Sequence, residues 1–64
     1  METLLITGSL NGTRHTLEKS TTLDYFFKWS PMRRHRYFTK LVRDTWGKGA
    51  ELVSVVVKST GEVL

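Results

Sequence analysis

Apolar and polar residues alternate along the first third of the chain, and this pattern predicts a β-hairpin. Residues 3–10 form the first strand, residues 13 to about 19 form the second, and Asn11-Gly12 lies between them. Asn-Gly is typical of a two-residue type I′ turn, because both positions of that turn need a positive φ. The turn fixes the register, which pairs Leu10 with Thr13, Gly8 with His15, Ile6 with Leu17 and Leu4 with Lys19. One face then carries Leu4, Ile6, Leu10 and Leu17, and the other carries Leu5, Thr7, Ser9, Arg14, Thr16 and Glu18.

Apolar residues at helical spacing predict the main helix over residues 31–46. Ser30 is a preferred N-cap and Pro31 suits the first helical position. Gly47 is expected to end the helix as a left-handed C-cap. One apolar stripe of this helix should face the sheet, and it consists of His35, Phe38, Val42 and Trp46, with Leu41 at its edge.

The segment 20–29 fits two secondary structures. Ser20, Thr21 and Thr22 are each candidate helix caps, and Asp24 follows Thr21 three residues later, as in a capping box. The residues that would share a helical face are Leu23, Phe26 and Phe27. The aromatic content of the segment also suits a strand, but we favour a short helix or helical turn.

A β-branched run over residues 51–58 predicts the third strand. Thr60-Gly61 predicts a turn that folds residues 62–64 back as the stub of a last strand. We therefore expect a single α+β domain over residues 1–64, with a small antiparallel sheet in the order 2-1-3 and one main helix packed on one face. A third strand parallel to the second is the alternative.

The balance of charge indicates an acidic partner. Ten Lys and Arg residues outnumber six Asp and Glu residues, which gives a net charge of +4. This excess suits binding to an acidic protein face, nucleic acid or anionic lipid. The alternative, about equally well supported, is that the charge only keeps a small protein in solution. There is no Cys, segment 1–6 does not have the pattern of a signal peptide, and no apolar run is long enough to span a membrane. We expect a cytoplasmic protein without a membrane span.

Four cations recur at helical spacing on the side of the main helix opposite the apolar stripe. They are Arg33, Arg36, Lys40 and Arg43, and Lys48 follows just beyond the helix end. Only Asp44 lies near them, so the like charges repel one another and slightly destabilise the isolated fold. This cost marks the stripe as a candidate binding surface, to which Tyr37 is a near neighbour; a merely solvated helix face is the alternative.

The seven aromatic residues divide into core and surface candidates. The residues expected in the core are Phe26, Phe27, Phe38 and Trp46. Tyr25, Trp29 and Tyr37 fit the core and the surface about equally. Aromatic rings beside cations suit single-stranded nucleic acid, on whose bases they stack.

The sheet face turned away from the helix is a second candidate surface. It is predicted to carry Leu5, Leu52 and Val56, an apolar patch of the kind that marks an interface. Cover by the chain end or by segment 25–29 is the alternative.

No pattern of residues supplies catalysis or metal binding. His15 and His35 are the only histidines, there is no Cys, and no spacing suggests a zinc site. His15 is expected to be buried beneath the helix. The chain has no phosphate-binding glycine motif, and its length leaves little room for a ligand pocket of about 300 Å³. We expect a protein that is not an enzyme and has no catalytic residue, metal or cofactor.

In size and in its order of hairpin, helix and strand, the chain is similar to small phage-encoded proteins that bind and inhibit host machinery. No diagnostic motif accompanies this likeness, so it implies a regulator or inhibitor and assigns no site residues. DNA-mimicking inhibitors are acidic, whereas this chain is basic. We expect a small basic module that binds an acidic macromolecule, a protein in preference to nucleic acid. The alternatives are a domain that contacts the nucleic-acid backbone through the basic helix face, and the subunit of a structural homodimer.

Overall fold

A three-stranded antiparallel sheet and two helices make up the fold, and the computed structural model describes all 64 residues. The strands are β1 (Glu2–Leu10), β2 (Thr13–Thr21) and β3 (Glu51–Val57), in the order β2-β1-β3. The helices are α1 (Leu23–Phe27) and α2 (Pro31–Trp46). The predicted α+β class, the strand order and the antiparallel pairing of the third strand with the first are confirmed.

The hairpin has the predicted turn and register. Asn11 has φ 53° and Gly12 has φ 81°, as a type I′ turn requires. Every predicted pair is present, from Leu10 opposite Thr13 to Leu4 opposite Lys19. β2 runs two residues further than predicted, to Thr21, because β1 also begins earlier and offers partners to that point.

The core lies between α2 and the β1–β3 half of the sheet. Its buried side chains are Leu4, Ile6, Phe26, Phe38, Val42, Ala50, Val55 and Val57. β2 contributes no fully buried residue. His15 on β2 is exposed and stacks on Trp46 with ring centroids 5.7 Å apart. The prediction that His15 is buried is therefore wrong, because the helix does not extend over the outer strand.

A β-bulge changes which face of β3 points to the helix. Thr7 pairs with Ser54, but Gly8 pairs with Leu52, so Val53 is the extra residue. Leu52 therefore shares the inner face with Gly8 and is half-buried against the core. Its predicted place on the outer face beside Leu5 and Val56 is wrong, since strict alternation cannot foresee an inserted residue.

The two ends of α2 lie where they were predicted. The Ser30 hydroxyl accepts a hydrogen bond from the Arg33 N–H (3.2 Å), and Pro31 occupies the first turn. At the other end the Gly47 N–H donates to the Arg43 carbonyl (2.8 Å). Gly47 has φ 125° and ψ 168°, so its φ is positive but its ψ is extended and the expected left-handed C-cap does not form.

Segment 20–29 contains a short helix, as favoured, and its N-cap is Thr22, one of the three candidate caps. Thr21 belongs to β2, and Thr22 is the N-cap without a side-chain hydrogen bond, so the predicted capping box is wrong. Phe26 is buried, whereas Phe27 is 47% exposed. The expected core position of Phe27 is wrong because a helix this short buries only one side.

The chain end folds back along β3. Val63 forms a single antiparallel bridge with Val56, and the Leu64 N–H donates to the Val55 carbonyl (3.0 Å). β3 itself ends at Val57, and Gly61 turns the chain with φ 75°. This stub therefore occupies the edge of β3 that β1 leaves free.

Gly8 allows the closest contact between sheet and helix, and we expect Gly8→Ala to destabilise the protein. A Cβ at this position would lie 2.7 Å from Val42 Cγ1 and 2.8 Å from Trp46 Cζ3. Overpacking of this kind costs about 1–3 kcal/mol of unfolding free energy, measurable by urea denaturation. Gly49→Ala is the matched control, since its Cβ would meet nothing closer than Leu10 Cδ1 at 3.7 Å. Equal stability of the two variants would contradict the close packing.

The Ser30 cap supports the start of α2, and we expect Ser30→Ala to lower the unfolding free energy by about 1 kcal/mol, because it leaves the Arg33 N–H without its acceptor. Thr22→Ala is the control, because Thr22 occupies the same position on α1 but makes no such bond. Urea denaturation of both variants measures the difference. A Thr22→Ala cost as large as that of Ser30→Ala would show that the hydroxyl bond does not carry the effect.

Candidate binding surface

Four cations form one exposed face of α2, as the spacing predicts. They are Arg33, Arg36, Lys40 and Arg43, here called the basic helix face, and all four are exposed. Phe38 and Val42, 2% and 0% exposed, lie on the opposite side against the sheet. The burial of these two side chains fixes the rotation of the helix about its axis, and the cations point to solvent as a consequence.

His35 departs from the predicted apolar stripe. It is exposed, while Arg34 on the other flank of Phe38 is half-buried. His35 and Arg34 instead line a cleft of about 280 Å³ between the first half of α2, β3 and the chain end. Within it Arg34 Nε is buried and has no hydrogen-bond partner in the chain. The prediction for His35 is wrong because the sheet does not close against the helix at this level.

None of the four cations is neutralised by a carboxylate of the same chain. The single ion pair of the molecule joins Lys58 Nζ to Glu18 Oε1 at 2.9 Å, on the other side of the sheet. Asp44, the one acidic neighbour on α2, makes no ion pair. Lys48, beyond the helix end, is exposed and also unpaired. The surface thus keeps its full positive charge.

Two of the cations are nevertheless held by neutral groups. The Arg33 guanidinium carbon lies 4.2 Å from the centroid of the Trp29 ring, a cation–π contact. Arg43 Nε donates to the Ala50 carbonyl at 3.4 Å. Arg36 and Lys40 have no side-chain hydrogen bond or ion pair within the chain. The basic helix face therefore has two anchored cations at its ends and two free ones in the middle.

Five aromatic rings pack together where α1 meets α2. This aromatic cluster consists of Tyr25, Phe26, Trp29, Tyr37 and Phe38, with neighbouring centroids 5.0–5.5 Å apart. Tyr37 is half-buried and contacts Phe26, Trp29 and Phe38, so one side of its ring is used within the chain. Tyr25 is 57% exposed at the border of the cluster.

The sequence pattern gave no sign that Trp29 belongs with the basic helix face. Trp29 precedes the Ser30-Pro31 boundary, so helical spacing does not relate it to Arg33. Met32 also borders this face, since it is 67% exposed and lies one turn before Arg36. The surface is thus larger than the predicted stripe, and it combines arginines with exposed aromatic and thioether groups.

The outer sheet face offers little apolar surface. Leu5 and Val56 pair with each other and are half-buried, and Val63 extends them at the edge with 69% exposure. The remainder of the face is polar: the Thr7 and Thr16 hydroxyls are 3.0 Å apart, and the Lys58–Glu18 ion pair crosses the sheet. The chain end flanks this face, whereas segment 25–29 packs against α2 instead.

The side chains of Arg36 and Lys40 make no hydrogen bond or ion pair within the chain. We therefore expect the fold to remain intact when both charges are removed. Arg36→Gln with Lys40→Gln relieves like-charge repulsion and keeps side chains of similar helix propensity. The unfolding free energy should stay within about 0.5 kcal/mol of the parent or rise, and any gain should shrink in high salt. Urea denaturation at low and high ionic strength measures this. A loss well beyond that margin would show that the two cations stabilise the fold.

Neither helix combines the length and the apolar character that crossing a membrane requires. No group of three or more His, Asp or Glu side chains comes together in an arrangement suited to a metal ion. No protein-family model, no curated protein and no solved structure matches this chain.

Proposed function

We propose that this protein is a non-enzymatic binding module that docks its basic helix face on an acidic surface of another protein and regulates that partner. The observation that carries the proposal is the set of four exposed cations, none of which is paired with a carboxylate of its own chain. A cytoplasmic setting suits a chain without cysteine. A viral accessory regulator or inhibitor is the kind of protein that fits this size and chemistry.

The energetics favour binding over a purely solvated role. Cations three and four residues apart on one helix repel by a few tenths of a kcal/mol per pair. A partner with carboxylates in a matching row removes this repulsion and adds charge-assisted hydrogen bonds. Charge complementarity of this kind mainly accelerates association and selects the partner. Arg36 and Lys40 are the best placed for it, because they have no internal contact to give up.

The residue types around the cations favour a protein over nucleic acid. Trp29, Arg33 and Tyr25 belong to the types that are enriched in protein interfaces, and so does Met32. Base stacking needs open ring faces. The Trp29 ring is covered by the Arg33 guanidinium and flanked by Tyr25 and Tyr37, so it does not offer a free platform.

Nucleic-acid binding is the second candidate, because the same unpaired cations would also contact phosphates. In that case each phosphate contact contributes close to one unit to the salt dependence of the binding constant. Four such contacts without base readout would give weak binding that does not depend on nucleotide sequence.

Reversing two charges on α2 tests whether binding depends on the basic helix face or only on the net charge of the protein. The probes are acidic peptides that also contain apolar residues such as leucine. We expect Arg36→Glu with Lys40→Glu to abolish their binding, measured by fluorescence anisotropy at about 50 and about 200 mM salt. The control is Lys19→Glu with Lys58→Glu, which changes the net charge equally but lies on β2 and just beyond β3, where it removes only the exposed Lys58–Glu18 ion pair. It should retain binding, because neither residue belongs to the basic helix face.

Random DNA and RNA oligomers in the same assay decide between the candidates. Peptide binding that weakens when Tyr25 or Met32 is replaced by Ala supports the protein partner. Binding to the oligomers alone, with a steep loss between the two salt concentrations, would replace the proposal by the nucleic-acid candidate. Equal loss in both charge-reversal variants would mean that only the net charge matters.

A further inference from the structure

The two edges of the sheet differ in how they are protected. The chain end folds onto the edge of β3, through the Val63 bridge and the hydrogen bond from the Leu64 N–H to the Val55 carbonyl. β2 lies at the other end of the order β2-β1-β3, and no element of the chain pairs with its outer edge. An open edge of nine residues is a ready template for a further strand.

The groups at this edge follow from the hairpin register. The residues flanking a two-residue turn exchange both of their backbone hydrogen bonds, and such pairs alternate with non-bonded pairs along the ladder. The β2 residues of the non-bonded pairs therefore turn their N–H and C=O groups away from β1. They are Arg14, Thr16, Glu18 and Ser20, and all four are exposed.

β2 lacks two of the usual defences of an exposed edge, and its one inward-facing charge is Lys19, opposite Leu4. It contains no proline, and its pairing with β1 is continuous without a bulge. Its outer-face charges are of opposite sign: Arg14 and Glu18 lie two residues on either side of Thr16. An antiparallel copy of the same strand, centred on Thr16, would place each of these charges opposite its complement.

We propose that β2 pairs with β2 of a second copy of this chain to form an antiparallel homodimer centred on Thr16. Arg14 of each copy then lies opposite Glu18 of the other, and the two Thr16 residues lie opposite each other. Opposite charges directly across a strand pair stabilise it. The Thr7–Thr16 hydroxyl contact of 3.0 Å within each subunit would extend as a row across the interface.

The neighbouring register is less favourable. Centred on Leu17, it would set His15 opposite Lys19 of the second copy and Thr16 opposite Glu18, so that no charge meets its complement. Self-complementarity about a two-fold axis is what an isologous interface requires, and only the Thr16-centred register gives it for both charges of the outer face.

Such a dimer would address the main weakness of this small fold. Only nine of 64 residues are buried, and β2 contributes none of the fully buried side chains. Pairing would convert the half-covered strand into an inner strand of a six-stranded sheet. A two-fold axis perpendicular to the sheet also puts both α2 helices on the same side. The inference does not depend on the proposed partner, but it would present two basic helix faces together.

Sedimentation equilibrium over micromolar to millimolar concentrations tests the assembly, with an expected mass of twice the 7.4-kDa chain. Thr16→Pro removes an N–H that points away from β1, so it blocks edge pairing while the hairpin ladder keeps its hydrogen bonds. We expect this variant to be monomeric, with the far-UV circular dichroism of the parent.

Charge exchange at the edge provides a test that does not rely on proline. Arg14→Glu alone and Glu18→Arg alone place like charges opposite each other at two symmetric positions, and each should weaken dimerisation by about tenfold or more. The double exchange, Arg14→Glu with Glu18→Arg, should restore it. Glu62→Arg is the control for the single Glu18 change, because Glu62 is an exposed acid at the other edge of the sheet. The Glu18–Lys58 ion pair is exposed, so its loss should have little effect on stability.

A parent protein that stays monomeric up to millimolar concentration would overturn the proposal. So would a dimer that survives Thr16→Pro in its folded form but is lost in Val56→Lys, since the outer sheet face would then be the interface. A dimer that both single exchanges weaken and the double exchange does not restore would refute the Thr16-centred register.

Discussion

The close contact between α2 and β1 determines most of what this molecule presents to its surroundings. Gly8 lets Val42 and Trp46 approach the strand backbone to a distance that no side chain would allow. With Phe38 and Val42 buried, the helix has one possible rotation, and the cations on its far side point to solvent. The basic helix face is therefore a consequence of core packing and not of any interaction among the charged residues themselves.

The same packing leaves other parts of the chain uncovered. One 16-residue helix lies over β1 and β3, but it does not extend over β2. The exposed strand edge and the exposed helix face therefore lie in different places and offer different chemistry. The first presents backbone hydrogen-bonding groups, and the second presents charge. A small domain buries a limited share of its surface, so such unpartnered surfaces are expected.

The aromatic cluster connects the two helices and shapes the candidate surface. Phe26 of α1 is buried against Tyr37 and Phe38 of α2, and the Arg33 guanidinium lies over the Trp29 ring. This contact holds one cation at the N-terminal end of the basic helix face, whereas the Arg36 side chain makes no hydrogen bond or ion pair within the chain. The basic helix face thus has one arginine whose position is fixed by an internal contact and another whose side chain can adjust to a partner. The proposed recognition of an acidic protein draws on both properties.

Local patterns in the sequence determined the hairpin with its register, the bounds of α2, and the outward direction of Arg36 and its neighbours. Each of these depends on residues close together in the chain: a turn dipeptide, a cap, a helical period. Tertiary structure alone decided the rest. The bulge at Val53 turned Leu52 inward, β2 extended past the helix and left His15 exposed, and the open cleft beside β3 left His35 in solvent. These outcomes depend on how far one element covers another, and that is a property of contacts between distant residues.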